Sequence, residues 1–392
     1  MDAELKNAPT LKDIREQNTA NILRSLLRTR ELVRGALAEE NQISAMTVKH
    51  IADDLLAAGA VVERAGAGGE VGRKPRVLQI SEKYGHIICL NLTSAGQIAM
   101  LIYDIYETLL DRQVLPFTPG RSYGENLAAA LEQVKAFSAA QGTALVGLAA
   151  FVPSAYYEKE DLVNYDLIEG FKELHIRALL EELFQIQNIL ILHDVLPAAW
   201  SEYSGLDPSR DSQFYFYCGY GVGGFFIHNN TAVMGGELMA GEVGKMILDV
   251  APDGKFVTVE ARIALPSLLR AWGRPEAGFA SLLEAYRSGD KSAAAVLDPA
   301  LELTARILYN LLWVYNPTRL VVDSCERAYS ALIAGRMERL LAAAHSEAIP
   351  IRVDLRQARY DEYHQMRGCF HMARERWIEE LAAHRGQGRG AG

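Results

Sequence analysis

The sequence predicts an α/β protein: a three-helix front end closed by a two-stranded wing, then two sheet-centred halves. Three observations carry this. Residues 1–80 hold three short amphipathic helical stripes and then two strand-like runs around a Gly-rich tip. Residues 81–211 open with three consecutive strand patterns and continue in strand–helix alternation, which marks a layered α/β unit. A second α/β unit starts near residue 212 and runs to 392.

In the front end, NTANILRSLLRTR places Ile22, Leu23, Leu26 and Leu27 on one helical stripe. ELVRGALAEEN does the same with Leu32, Val33, Ala36 and Leu37, and SAMTVKHIADDLLAAG with Val48, Ile51, Leu55 and Leu56. Ser44 is placed to cap the third helix, because its hydroxyl accepts an orphan backbone N–H. Gly59 suits its end, where a left-handed residue is needed. AVVERAG and RVLQI read as strands, and AGAGGEVGRKP between them as a loop. This is the layout of a winged helix-turn-helix. Its third helix exposes Ser44, Ala45, Thr47, Lys49 and His50, small or polar side chains that suit close approach to base edges in a major groove. The wing tip brings Arg73, Lys74 and Arg76 to DNA phosphates or the minor groove.

The body reads on from there. HIICLNL, QIAMLIYDI and ETLLDRQVLPF are adjacent strands, GENLAAALEQVKAFSAAQG a helix, TALVGLAAFVP and NILILHDV buried strands, and PAAWSEYSG a helix. QFYFYCGYGVGGFFIHNNTAVMG is a hairpin turning at GYGVGG. Helical patterns fill residues 260–313, PTRLVVDS and IPIRVDL are strands around a helix at RAYSALIAGRMERLLAAAHS, and a last helix near 368–384 precedes a disordered GQGRGAG tail. That helix is expected either to stay with the second half or to return to the first.

Composition narrows the function. The net charge of −9 excludes a protein that coats nucleic acid over its whole surface. The acid is concentrated in the body: residues 1–80 hold 12 Lys and Arg against 11 Asp and Glu, the remainder 28 against 38. Cys89, Cys218, Cys325 and Cys369 are far apart and form no CxxC pair, so they read as buried, inert thiols. There is no membrane-length apolar run and no signal-peptide core, which predicts a cytoplasmic protein with no membrane partner.

Several motifs in order resemble the ROK family (repressors, open reading frames, kinases), and within it the transcriptional regulators of the NagC, Mlc and XylR type. They are the wing tip Gly72, Arg73, Lys74 and Pro75, the Gly-rich loop Gly219–Gly224, the segment GGELMAGEVGK from Gly235 to Lys245, and VYNPTRLVVDS from Val314 to Ser324. The resemblance implies an actin/hexokinase-like (ribonuclease H-like) two-domain sugar-kinase fold behind the winged domain. It implies a carbohydrate pocket at His193, Asp194, Glu242, Lys245 and Glu260. Read on its own, Asp194 ends an apolar strand, where a carboxylate binds a ligand or caps the next helix. Glu260 begins a helix, where an acid also simply favours the dipole.

The chain departs from the family at three places. The family's zinc site uses a His that falls on Lys245 and cysteines that are missing from DGKFVTVEA, so no metal is expected, and Phe256, Val257 and Val259 are expected to hold the segment by apolar packing. The family's D-x-GGT is NLTSA here, Asn91 to Ala95. With Tyr220, Phe225 and Phe226 crowding the Gly-rich loop, phosphoryl transfer is not expected, and neither is a cofactor. Lys245 either pairs with Glu242 or Glu260 in place of the metal, or contacts an anionic group of the ligand. The function expected is a ligand-responsive DNA-binding regulator, a repressor of carbohydrate genes. Its partners would be a double-stranded operator, a carbohydrate effector and a second copy of the chain, as a homodimer or a dimer of dimers. The alternatives are a DNA-binding protein with a degenerate, non-sensing body and an ATP-dependent sugar kinase.

Overall fold

The computed structural model describes residues 10–66, 75–81, 85–153, 156–163, 168–193, 195–236, 240–344, 351–359 and 363–383. They fall into two compact units, Met1–Asp194 with Cys369–Gly392, and Val195–Gly368.

The first unit begins with α1 (Leu11–Thr29), β1 (Leu32–Val33), α2 (Arg34–Glu40), α3 (Ala45–Ala57), β2 (Val61–Ala65) and β3 (Arg76–Ile80). A reciprocal Thr10–Asp13 capping box starts α1 earlier than its apolar stripe does. Ser44 accepts the Thr47 N–H at 3.0 Å and so starts α3, and Gly59, at φ +69°, ends it. Leu32 and Val33 are not helical. They pair with Leu78 and Val77 and form the edge of a small sheet ordered β1-β3-β2, because a partner strand outcompetes the weak helical preference of Val33. The wing tip, with Gly72, Arg73 and Lys74, lies outside the described residues.

There follow β4 (His86–Asn91), β5 (Gln97–Asp104), β6 (Leu109–Pro116), α4 (Tyr123–Ala140), β7 (Leu145–Phe151), β8 (Tyr156–Tyr157), β9 (Leu162–Val163), α5 (Ile176–Phe184) and β10 (Ile189–Leu192). The main sheet is ordered β10-β7-β4-β5-β6. β4, β5 and β6 are antiparallel neighbours, and β7 and β10 add in parallel. Ile88, Leu90, Leu148 and Ile189 pack one face of the sheet on Leu127 and Leu131 of α4 and Leu180 of α5. The other face meets the last described helix, α12 (His364–Ala383), through its part beyond residue 368. There the Asn188 carboxamide donates to the carbonyls of Val146 and Ala373, at 2.9 and 3.0 Å. Further along, Trp377, Ile378 and Leu381 join Leu23, Leu26, Val48, Ile51 and Leu55 in one core. The front end is thus closed by a helix from the far end of the described chain.

The second unit comprises α6 (Leu196–Tyr203), β11 (Ser212–Cys218), β12 (Val222–His228), β13 (Thr231–Ala232), a 3-10 turn (Val243–Lys245), β14 (Ile247–Val250), β15 (Phe256–Thr258), α7 (Glu260–Ile263), α8 (Leu265–Ala271), α9 (Phe279–Arg287), α10 (Lys291–Tyr315), β16 (Arg319–Asp323), α11 (Arg327–Ala344) and β17 (Asp354–Gln357). Its sheet is ordered β13-β12-β11-β16-β17, so each unit builds one five-stranded sheet on the same plan. In both, three antiparallel strands are followed by two parallel ones. That duplication defines the actin/hexokinase-like fold.

Two strand limits differ from the sequence pattern. The turn before β12 is only residues 219–221, and Gly223 and Gly224 belong to the strand. β17 starts at Asp354, later than the apolar IPIRVDL suggests, because Arg319 and Asp354 are register partners joined by an ion pair of 3.1 Å. Cys89, Cys218 and Cys369 are buried, whereas Cys325, just past the end of β16, is exposed. The GQGRGAG tail lies outside the described residues.

Candidate functional site

The exposed face of α3 follows from its capping and its stripe. Val48, Ile51, Ala52 and Leu55 turn inward, which leaves Ala45, Met46, Lys49, His50 and Asp53 facing out. Ala45, Lys49 and His50 stand exposed as the sequence predicts. The hydroxyls of Ser44 and Thr47 lie 2.8 Å apart at the helix start, so both are engaged in the cap. Arg76 begins β3 and donates to Glu63 at 2.6 Å, while its side chain stays largely exposed. Arg73 and Lys74 lie outside the described residues. The carboxylates near this face are matched by arginines: Asp53 and Glu63 lie 2.9 and 3.4 Å from Arg34, and Asp54 is bound by Arg15. They therefore do not meet a polyanion as bare charges.

Met46 escaped the sequence reading. It is 59% exposed, and a place two positions from Val48 turns it about 200° from the core stripe at roughly 100° per residue. That offset was the available signal.

The predicted pocket residues are distributed as follows. In the first unit, His193 follows β10 and is half-buried, and Asp194 lies outside the described residues. In the second unit, Glu242 and Lys245 lie on a chain segment packed directly on β12, and of the three predicted residues there Lys245 and Glu260 meet. Gly241, at φ +92°, carries a carbonyl that accepts from Gly224 N–H at 2.9 Å, and a Cβ there would sit 1.8 Å from the Gly224 oxygen. A Cβ on Gly244 would lie 2.5 Å from the Val222 oxygen. The glycines permit this contact, and the 3-10 turn that follows brings Lys245 back over the start of α7. Its Nζ stands 3.3 Å from Glu260 Oε2. Both groups are reached by water, so the pair stabilises by no more than about 1 kcal/mol. Glu242 is exposed at the head of the turn.

The segment after Lys245 is not held by the packing expected of it. Phe256 is 64% exposed and only Val259 is fully buried. The β14–β15 ladder holds it instead, pairing Ile247 with Thr258 and Val250 with Phe256. The donors here do not fit a zinc ion, since an ammonium already facing a carboxylate replaces an imidazole and no thiol is near in sequence. Among the described residues no three His, Cys, Asp or Glu side chains cluster as metal ligands. At the other family motif, Asn91 ends β4, and its carboxamide oxygen accepts from the Thr93 N–H and hydroxyl at 3.0 and 2.7 Å, closing a local turn. In the Gly-rich turn Tyr220 is 71% exposed, and the Gly219 oxygen accepts from Leu265 N–H at 2.8 Å, tying the turn to α8. Among the described residues no helix is long and apolar enough to cross a membrane.

A sheet plan built twice, with a Gly-rich turn opening the second copy and a winged helix-turn-helix ahead of both, defines a sugar-kinase-like body joined to a winged front end. The chain belongs to the ROK family, whose model matches residues 93–376. It is similar in structure to a ROK family transcriptional regulator described as a homologue of the E. coli Mlc protein. The TM-score is 0.71 at 15% identity, over 94% of this chain and 99% of that one. The ROK hexokinase from Thermus thermophilus shares the fold at a TM-score of 0.58 and 21% identity, over 72% of this chain and 96% of that one. In sequence, the chain is 24% identical over 281 residues to an N-acetylmannosamine kinase from Yersinia pestis (strain Pestoides F), covering 67% of this chain and 90% of the relative.

These kinases correct one expectation. The altered D-x-GGT and the crowded Gly-rich loop led the sequence reading to exclude an enzyme. Relatives aligned over 64–67% of the chain are named as kinases, and that exclusion does not stand.

Proposed function

We propose that this protein is a DNA-binding transcriptional regulator of carbohydrate genes whose kinase-like body senses a sugar or sugar derivative. The observation that carries the reading is the winged front end, with Ala45, Lys49 and His50 of α3 facing outward. A sugar kinase has no need of such an element, and the likeness to a ROK regulator extends over 94% of the chain. In this reading α3 enters the major groove, and Arg73, Lys74 and Arg76 meet the backbone or minor groove. A homodimer would match a two-fold operator. His193, Asp194, Glu242, Lys245 and Glu260 are the residues proposed for the effector, with Lys245 held by Glu260 when no anionic group is present. Effector binding would bias two states of the body that present the winged elements differently.

The relatives named N-acetylmannosamine kinase favour a second reading, a sugar kinase carrying a DNA-binding element. One set of experiments separates them. Full-length protein is used to select duplexes from a random library, and binding to the winners is measured at fixed salt with and without N-acetylmannosamine or glucose. The regulator reading expects a selected sequence and a sugar-dependent change in affinity that Glu242→Ala removes. Phosphorylation of N-acetylmannosamine with ATP, without any selected DNA, would refute it and establish the second.

A further inference from the structure

A single exposed apolar side chain on a protein surface needs no explanation. Met46 differs in where it sits. It lies in the first turn of α3, beside Ala45, with Lys49 and His50 three and four residues on and therefore on the same face. That face is opposite the buried stripe, and its cation suits a polyanion. It offers a large, flexible, polarisable group where the other outward residues, Ala45, Lys49, His50 and Asp53, are small or polar. In a major groove the apolar group that matches it is the C5-methyl of thymine, which distinguishes T·A from the other pairs.

We propose that Met46 is a specificity-determining residue that reads a thymine methyl in the operator half-site. The inference rests on the DNA-binding reading above and sharpens it: Lys49 supplies attraction common to all sequences, and Met46 supplies discrimination.

The test uses the full chain and a duplex selected from a random library. Each thymine in turn is replaced by uracil, which removes only the methyl group. Wild-type protein is expected to lose about fourfold in affinity at one position in each half-site, the effect of exposing one buried carbon. Met46→Ala should bind the thymine duplex as weakly as the wild type binds the uracil one, and should not respond to the replacement. Met46→Leu should keep the response, while Lys49→Ala should weaken both duplexes alike. Alanine suits this exposed helical place, so the variant folds. Equal uracil losses in wild type and Met46→Ala overturn the inference, as does a selected sequence with no uracil-sensitive position. If selection yields no sequence at all, the DNA-binding reading fails and the inference falls with it.

Discussion

Acid should loosen the first unit through His86, and the structure sets the amount. His86 opens β4, is 1% exposed, and places Nδ1 2.8 Å from Thr143 Oγ1 and Nε2 2.7 Å from Ser138 Oγ. Burial pushes the imidazole down to about 4, against about 6.5 in an unfolded chain. Between those values the unfolded chain binds a proton that the folded chain refuses. Stability is therefore complete above about pH 7 and falls as the pH drops toward 4. With a discount for the polar hydroxyls around the ring, the loss at pH 5 is about 1–2 kcal/mol. Hydrogen exchange of the β4 and β7 amides, converted to opening free energies at pH 7.5 and pH 5, measures it. His371, buried on α12, is lowered in the same direction, chiefly by burial, and contributes an acid loss of its own. The comparison is therefore with His86→Gln, which cannot titrate but can still bond Ser138. The variant should lose about 1–2 kcal/mol less than the wild type over the same interval. An identical acid loss in the two proteins would refute the argument.

Two further outcomes follow from packing. Gly241→Ala combines a left-handed backbone at φ +92° with a Cβ 1.8 Å from the Gly224 oxygen. It should cost about 3 kcal/mol or more and lower the melting temperature of the second unit by about 6–12 °C, and an unchanged melting curve would show that the contact yields freely. Ile378→Ala empties a fully buried place shared with Leu23, Leu26 and Val48. It should cost about 2–5 kcal/mol and speed proteolytic release of the front end, so wild-type resistance to protease would count against a shared core.

What could be read in advance was local. The cap at Ser44, the end at Gly59, the stripe of α3 and the strands β4 to β7 each rest on signals a few residues long, and each stands in the structure. Features set by a distant partner were not legible. Leu32 and Val33 carry a helical spacing, and only β3 makes them a strand. The start of β17 depends on Arg319, and the attachment of Ile378 to the front end has no sign in the sequence of α12. Phe256 was misjudged because an apolar residue suggests a core, whereas a two-stranded ribbon gave it no layer to enter. Glu242, Lys245 and Glu260 were chosen by family resemblance. The meeting of Lys245 with Glu260 depends on glycine contacts with β12 that the spacing does not announce.

The long reach of α12 has a consequence for biosynthesis. Leu26 and Trp377 belong to one core yet leave the ribosome about 350 residues apart. At roughly 5–20 residues per second, the front end waits about 20–70 s for the residues that complete it. A nascent chain halted before residue 377 carries the whole of α3 but not its full support. The outward face of α3 is therefore fully supported only in molecules that already include α12.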